Sequence, residues 1–315
     1  MTNDRPTSYV TAVTAEQAEA LETLLQSRGC WEFSPLPYAR WKAVNRQEKV
    51  SVAAYTSGKL VVQGGGTADF VSFLLEPEIL HTFTFGLGGA EAADEPVDPH
   101  GGIDESGKGD FFGPLIIAGV YADAETGPEL RKIGCCDSKL IHSSKRIMEL
   151  AGKIRAVTGG RYAVVTLYPG TYNRLYREIG NLNRLLAWGH ARTIENLLEK
   201  VPECPRMLSD KFGDERLIQR ALLARGRTVQ MDQRTKAESD VAVAAASILA
   251  REQFLKGMAK LSAEVGVPLP RGCGAEVRAV GKKLFETHGA EIFQRCAKTH
   301  FKTCNELTGT PVGEE

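Results

Sequence analysis

The chain has 315 residues, 43% of them hydrophobic and 25% charged, with 39 Lys+Arg balanced by 39 Asp+Glu. This is the make-up of an ordinary globular protein with room for about two domains, not of a fibrous or disordered chain. With no net charge, any surface able to hold a polyanion must be local, its charge cancelled by acids elsewhere.

No run of about 18 apolar residues occurs, so no membrane-spanning helix is expected. The start, MTNDRPTSYV, lacks the apolar core of a secretory signal. Seven cysteines without CxxC spacing read as reduced thiols of a cytoplasmic protein. Cys296, His300 and Cys304 have the spacing of a zinc half-site, but core cysteines explain them better.

The elements fall into two units. In the first, residues 1–85, the alternating stretch 9–13 reads as a strand. Residues 15–28 read as a helix with Ala18, Leu21, Leu24 and Leu25 on one face, Thr14 as N-cap and Gly29 after the last turn. Strands follow at 38–45 and 49–55, and the turn 56–59 leads into a strand at 60–63. A second helix is expected over 67–76, ended by Pro77. That order describes a small α+β domain with an antiparallel sheet. Lys42, Arg46, Lys49 and Lys59, mixed with Trp31, Tyr38 and Trp41, suit a nucleic-acid surface, although Trp31 fits a core position better.

Residues 86–100, rich in Gly, Ala, acids and Pro, read as a linker. Residues 101–315 then alternate strands (115–122, 161–167, 206–209, 228–231) with helices (172–199, 216–224, 240–258), the pattern of an α/β layer fold.

Residues 104–115, DESGKGDFFGPL, carry the densest chemistry. Asp104 and Glu105 precede a Gly107-Lys108-Gly109 turn, and paired carboxylates suit a hard divalent cation. Glycines let backbone amides approach a ligand closely. A solvated hairpin turn has the same composition, so distant partners must decide. Asp210 stands where an apolar strand gives way to a loop, a favoured position for ligand contacts in α/β sheets. Asp240 opens a helix whose apolar stripe is Val241, Ala244, Ala245, Ile248 and Leu249. Turn formation and helix capping are the bland explanations of these two acids.

Six segments together resemble the bacterial ribonuclease HIII family of type 2 ribonucleases H: DESGKGDFFGPL, DSKL (137–140), YNRLYREIGNLNRLLAWGHA (172–191), SDKFG (209–213), KAESDVAVAAASILAR (236–251) and KTHFKT (298–303). The resemblance implies a ribonuclease H-like catalytic domain, with a central mixed sheet flanked by helices, preceded by a TATA-box-binding-protein-like domain. It implies Asp104, Glu105, Asp210 and Asp240 as ligands of two divalent ions, Mg²⁺ or Mn²⁺, with Asp104 as the bridge. Ser106, Gly107, Lys108 and Gly109 match the substrate-reading turn, and Lys139, Asn181 and Asn183 are further candidate contacts. The expected activity is endonucleolytic hydrolysis of the RNA strand of an RNA–DNA hybrid, leaving 5′-phosphate and 3′-hydroxyl ends.

Two alternatives are a ribonuclease HII-type activity at single embedded ribonucleotides and a non-catalytic hybrid-binding protein. A monomer with no obligate protein partner and no membrane association is expected. His190 and His300 read as structural, since neither lies beside an acid in the sequence.

Overall fold

A computed structural model describes residues 7–80, 96–135, 138, 141, 143–210, 218, 220–222, 226–234 and 237–309. The chain divides into two compact units, 1–95 with 131–134, and 96–130 with 135–315. Most of the stretch read as a linker lies outside the described residues. Its last residue, His100, already belongs to the first strand of the second unit.

The N-terminal unit contains β1 (Ser8–Ala12), α1 (Ala15–Ser27), β2 (Glu32–Ser34), β3 (Ala39–Asn45), β4 (Val50–Tyr55) and β5 (Lys59–Gln63). The strands form one antiparallel sheet in the order β1-β5-β4-β3-β2. Helix α1 begins where expected, because Thr14 and Gln17 satisfy each other's backbone amides in a capping box. It buries Ala18, Leu21 and Leu25.

The second helix differs from expectation. Its first turn, α2 (Thr67–Phe70), continues as a wider π-type helix over Val71–Leu80, past Pro77. Val71, Leu74, Leu75 and Ile79 all pack into the unit's core, and that burial overrides the proline stop. Trp41 also belongs to this core, at 4% exposure, whereas Tyr38 is 86% exposed. The basic-aromatic surface therefore loses one of its aromatics to packing.

The second unit is built on β6 (His100–Ser106), β7 (Leu115–Ala122), β8 (Tyr162–Leu167), β9 (Arg206–Asp210) and β10 (Gln230–Arg234). Their order is β10-β9-β6-β7-β8. β10, β9 and β6 run parallel, while β7 is antiparallel to both its neighbours, which makes the sheet mixed. The helices are α3 (Thr126–Lys132), α4 (Ser144–Thr158), α5 (Pro169–Ile179), α6 (Leu182–Leu198), α7 (Val241–Val265), α8 (Ala275–His288), α9 (Glu291–Cys296) and α10 (Lys302–Thr308). All eight residues of β7 are buried, as a strand covered on both faces must be. The expected helix at 216–224 lies mostly outside the described residues.

Candidate active site

β6 presents alternate residues to opposite faces. Gly102 faces α7, and a Cβ there would sit 2.2 Å from the Val243 amide nitrogen. Only glycine lets the first turn of α7 come this close. Asp104, two residues on, shares that face. Parallel pairing with β9 runs through Ile103↔Ser209, so Asp210 stands one residue further on, beside Asp104 and on the same side of the sheet. Two acids 106 positions apart in the chain thus stand on one face of adjacent central strands, both half-buried.

Glu105 faces the opposite side. There Nε2 of His190, a buried residue of α6, lies 3.1 Å from its Oε2. Lys108 Nζ approaches the other oxygen at 3.5 Å. Burial by itself would raise the Glu105 carboxyl, but the His190 hydrogen bond and the Lys108 charge outweigh it and hold the pKa below the usual carboxylate value. With Glu105 ionised, the imidazole donates from Nε2. His190 reads as structural in the sequence because no acid lies beside it there, but α6 brings it onto an acid 85 positions earlier, a pairing with no local signature.

Asp240 caps α7, accepting from the amides of Ala242 (2.9 Å) and Val243 (3.2 Å). The capping explanation is thus realised, but it is incomplete. The ring of His100, also buried, lies 2.9 Å from Asp240 Oδ1 and 3.0 Å from Oδ2, and its Nδ1 is 2.7 Å from the Asp98 carbonyl. Burial would lower the His100 pKa, yet the hydrogen bond and charge of Asp240 together with the Asp98 carbonyl raise it; Asp240 is lowered in turn, burial being outweighed by His100 together with the two α7 amides. Arg234 stands 3.7 Å from the same carboxylate. His100 lies four residues before Asp104 on β6, roughly 13 Å along an extended strand. The structure therefore unites Asp104 with Asp210 and leaves Glu105 and Asp240 each with a buried histidine. Among the described residues, no three His, Cys, Asp or Glu side chains form a ready metal cage.

The turn after β6 is tight. Gly107 has φ +90°, and a Cβ there would meet the Pro114 carbonyl at 2.2 Å. Gly109 is exposed with open space around it, while Ser106 ends β6 half-buried. Asn181 is the N-cap of α6, its oxygen accepting from the Arg184 amide at 3.1 Å, and Asn183 is exposed on the first turn. Lys139 lies outside the described residues.

The model of the family described as Ribonuclease HII matches residues 101–304. A Ribonuclease HIII from Protochlamydia amoebophila is 42% identical over 301 residues, covering 96% of this chain and 97% of the relative. One from Chlamydia caviae is 43% identical over 303 residues, with the same coverage. This chain belongs to the ribonuclease HIII family. It is an enzyme of that family, a nuclease. Among solved structures, Bst-RNase HIII in complex with Mn²⁺ is 28% identical with a TM-score of 0.62, covering 96% of this chain and all of that one. The RNase H3 of Aquifex aeolicus is 25% identical with a TM-score of 0.53, covering 93% and 99%.

Ribonuclease HIII relatives align along almost the whole chain, the N-terminal unit included. The all-oxygen donor set of Asp104 and Asp210 fits a hard divalent ion, which takes one or two carboxylates and fills its remaining positions with water and phosphate oxygens. The contacts of His190 with Glu105 and of His100 with Asp240 were not expected from the sequence. Only the identity of each side chain, without its partner, is visible in the sequence.

Proposed function

We propose that this protein hydrolyses the RNA strand of RNA–DNA hybrids, leaving 5′-phosphate and 3′-hydroxyl ends. The observation that carries the reading is the side-by-side placement of Asp104 on β6 and Asp210 at the end of β9, in a chain of the ribonuclease HIII family.

Asp104 and Asp210, with Glu105 and Asp240 supplied from the other face of β6 and the start of α7, are the acids that would hold two divalent ions, Mg²⁺ or Mn²⁺. Such ions supply the charge that activates a water and stabilises the leaving oxygen. Bst-RNase HIII, the structural relative, binds Mn²⁺. On the protein side, His190 fixes the orientation of Glu105, and His100 with the α7 amides fixes Asp240. Gly107-Lys108-Gly109, with Ser106, reads the 2′-hydroxyl through backbone groups, independently of base. Lys108, beside Glu105, adds attraction for phosphate. Lys139, Asn181 and Asn183 are further contacts along the strand.

The N-terminal unit, TATA-box-binding-protein-like in its antiparallel sheet backed by helices, supplies duplex affinity through Lys42, Lys49, Lys59 and the exposed Tyr38. Residues 1–85 serve as substrate-binding domain, 86–100 as linker and 101–315 as catalytic domain of a cytoplasmic monomer.

The test is incubation with a full RNA–DNA hybrid and with a duplex holding one ribonucleotide, each with and without Mg²⁺. Metal-dependent cleavage of the hybrid supports the reading. Cleavage confined to the single ribonucleotide would replace it with a ribonuclease HII-type activity.

A further inference from the structure

Lys298 is fully buried, a rare place for an ammonium, and the proposed chemistry does not use it. Its Nζ donates to the carbonyls of Asp110 and Gly113, each at 2.8 Å, with the Phe112 carbonyl at 3.5 Å. The ring of Tyr172 lies 5.7 Å from the charge. Burial lowers its pKa to about 7, with the Asp110 charge opposing.

The backbone repeats the attachment. Lys298 N donates to the Phe111 carbonyl at 2.8 Å, Gly113 N donates to the Cys296 carbonyl at 3.0 Å, and Phe112 bridges Ala297. From another side, Asp110 Oδ1 accepts from the Gly272 amide at 2.6 Å, and Phe111 N donates to the Gly272 carbonyl at 2.9 Å. Residues 110–113 are therefore fastened from two directions, and they directly follow the Gly107-Lys108-Gly109 turn. Asp110, where the chain leaves that turn, is held at both its carbonyl and its carboxylate. An apolar side chain at position 298 would fill the same space, but it would leave three carbonyls without their common donor.

We propose that Lys298 is a positioning residue for the substrate-reading turn: its ammonium gathers the carbonyls of Asp110, Phe112 and Gly113 and so fixes how Gly107-Lys108-Gly109 is presented to the hybrid. The inference rests on the reading of that turn as a substrate contact. It places a buried lysine from the far end of the chain behind the recognition loop, without contact with substrate or with the acids.

The experiment compares wild type, Lys298→Met, Lys298→Gln and Lys108→Ala. Readouts are KM and kcat on an RNA–DNA hybrid, Mn²⁺ affinity by calorimetry, and thermal unfolding. Loss of the gathered hydrogen bonds in Lys298→Met should raise KM roughly tenfold, with kcat at saturation within a few-fold and Mn²⁺ affinity unchanged. Lys298→Gln, which keeps an amide donor, should fall between it and wild type. A folded Lys298→Met with wild-type KM overturns the proposal. So does failure of both position-298 variants to fold, which would make Lys298 a residue of the fold alone. If Lys108→Ala raises KM while Lys298→Met does not, only this inference fails. If Lys298→Met raises KM while Lys108→Ala leaves it unchanged, the turn acts through its backbone alone and the inference stands.

Discussion

His190 Nε2 lies 3.1 Å from Glu105 Oε2, joining a buried helix residue to an acid of the central strand β6. The bond fixes one carboxylate oxygen, while Lys108 approaches the other. Partners that orient a metal-binding carboxylate typically change metal affinity or activity by about 10- to 100-fold when removed. His190→Ala should therefore lose activity in that range and bind Mn²⁺ more weakly by calorimetry, with activity partly regained at high Mn²⁺. Unaltered Mn²⁺ binding in a folded variant would separate His190 from the site.

Asp104→Asn should abolish cleavage while leaving hybrid binding within a few-fold, because Asp104 is proposed to hold metal and not to support the fold. Asp210→Asn and Asp240→Asn should also be severely impaired. The deficits should not add, since the acids act as one unit. Asn caps a helix as well as Asp does, so a loss in Asp240→Asn reports the missing charge and not a damaged α7. The measurements are single-turnover cleavage and gel-shift binding.

The products are a further check. Water attack predicts 5′-phosphate and 3′-hydroxyl ends and no cutting of an all-DNA duplex. Fragments ending in a 2′,3′-cyclic phosphate would show that the ribose hydroxyl is the nucleophile, and the metal-activated water scheme would be wrong.

A chain beginning at Pro96 keeps all four acids. It should show a raised KM, a kcat at saturating hybrid that survives in part, and a flatter dependence of binding on salt, because fewer phosphates are neutralised. A KM and salt slope equal to those of the full chain would remove the N-terminal unit from substrate binding.

Glu252 on α7 gives a stability prediction away from the chemistry. Its buried carboxylate pairs with Arg155 of α4 at 2.8 Å and with Lys256. Burial would raise its pKa, but the Arg155 hydrogen bond leads the effects that lower it overall. Glu252→Gln should cost about 2 kcal/mol at neutral pH, below the roughly 3–5 kcal/mol of a fully buried pair, because Arg155 keeps part of its hydration. A folded-state pKa below the unfolded one stabilises above the unfolded carboxylate value, about 4.3. That contribution fades as pH falls through the folded value. The gap between variant and wild type in urea unfolding should therefore narrow in acid.

Local patterns carried much of this. The Thr14 cap, the β7 apolar run and the helix opened by Asp240 each depend on residues within a turn or two, and each stands where its spacing put it. Pro77 misled because the burial of Val71, Leu74, Leu75 and Ile79 outweighed a local stop signal. Trp41 looked like a surface aromatic, since composition does not say which face of a strand is covered.

The sequence by itself determined the family and the mixed α/β character of the second unit, and it named the candidate acids. Those follow from residue type, order and short-range periodicity. Tertiary structure alone decided who touches whom. β6–β9 register set Asp210 beside Asp104, and the approach of α6 and α7 delivered His190 to Glu105 and joined His100 to Asp240. The C-terminal crossing put Lys298 behind the glycine turn. Such contacts span roughly 85 to 190 positions and depend on how elements pack, which no window of neighbouring residues encodes.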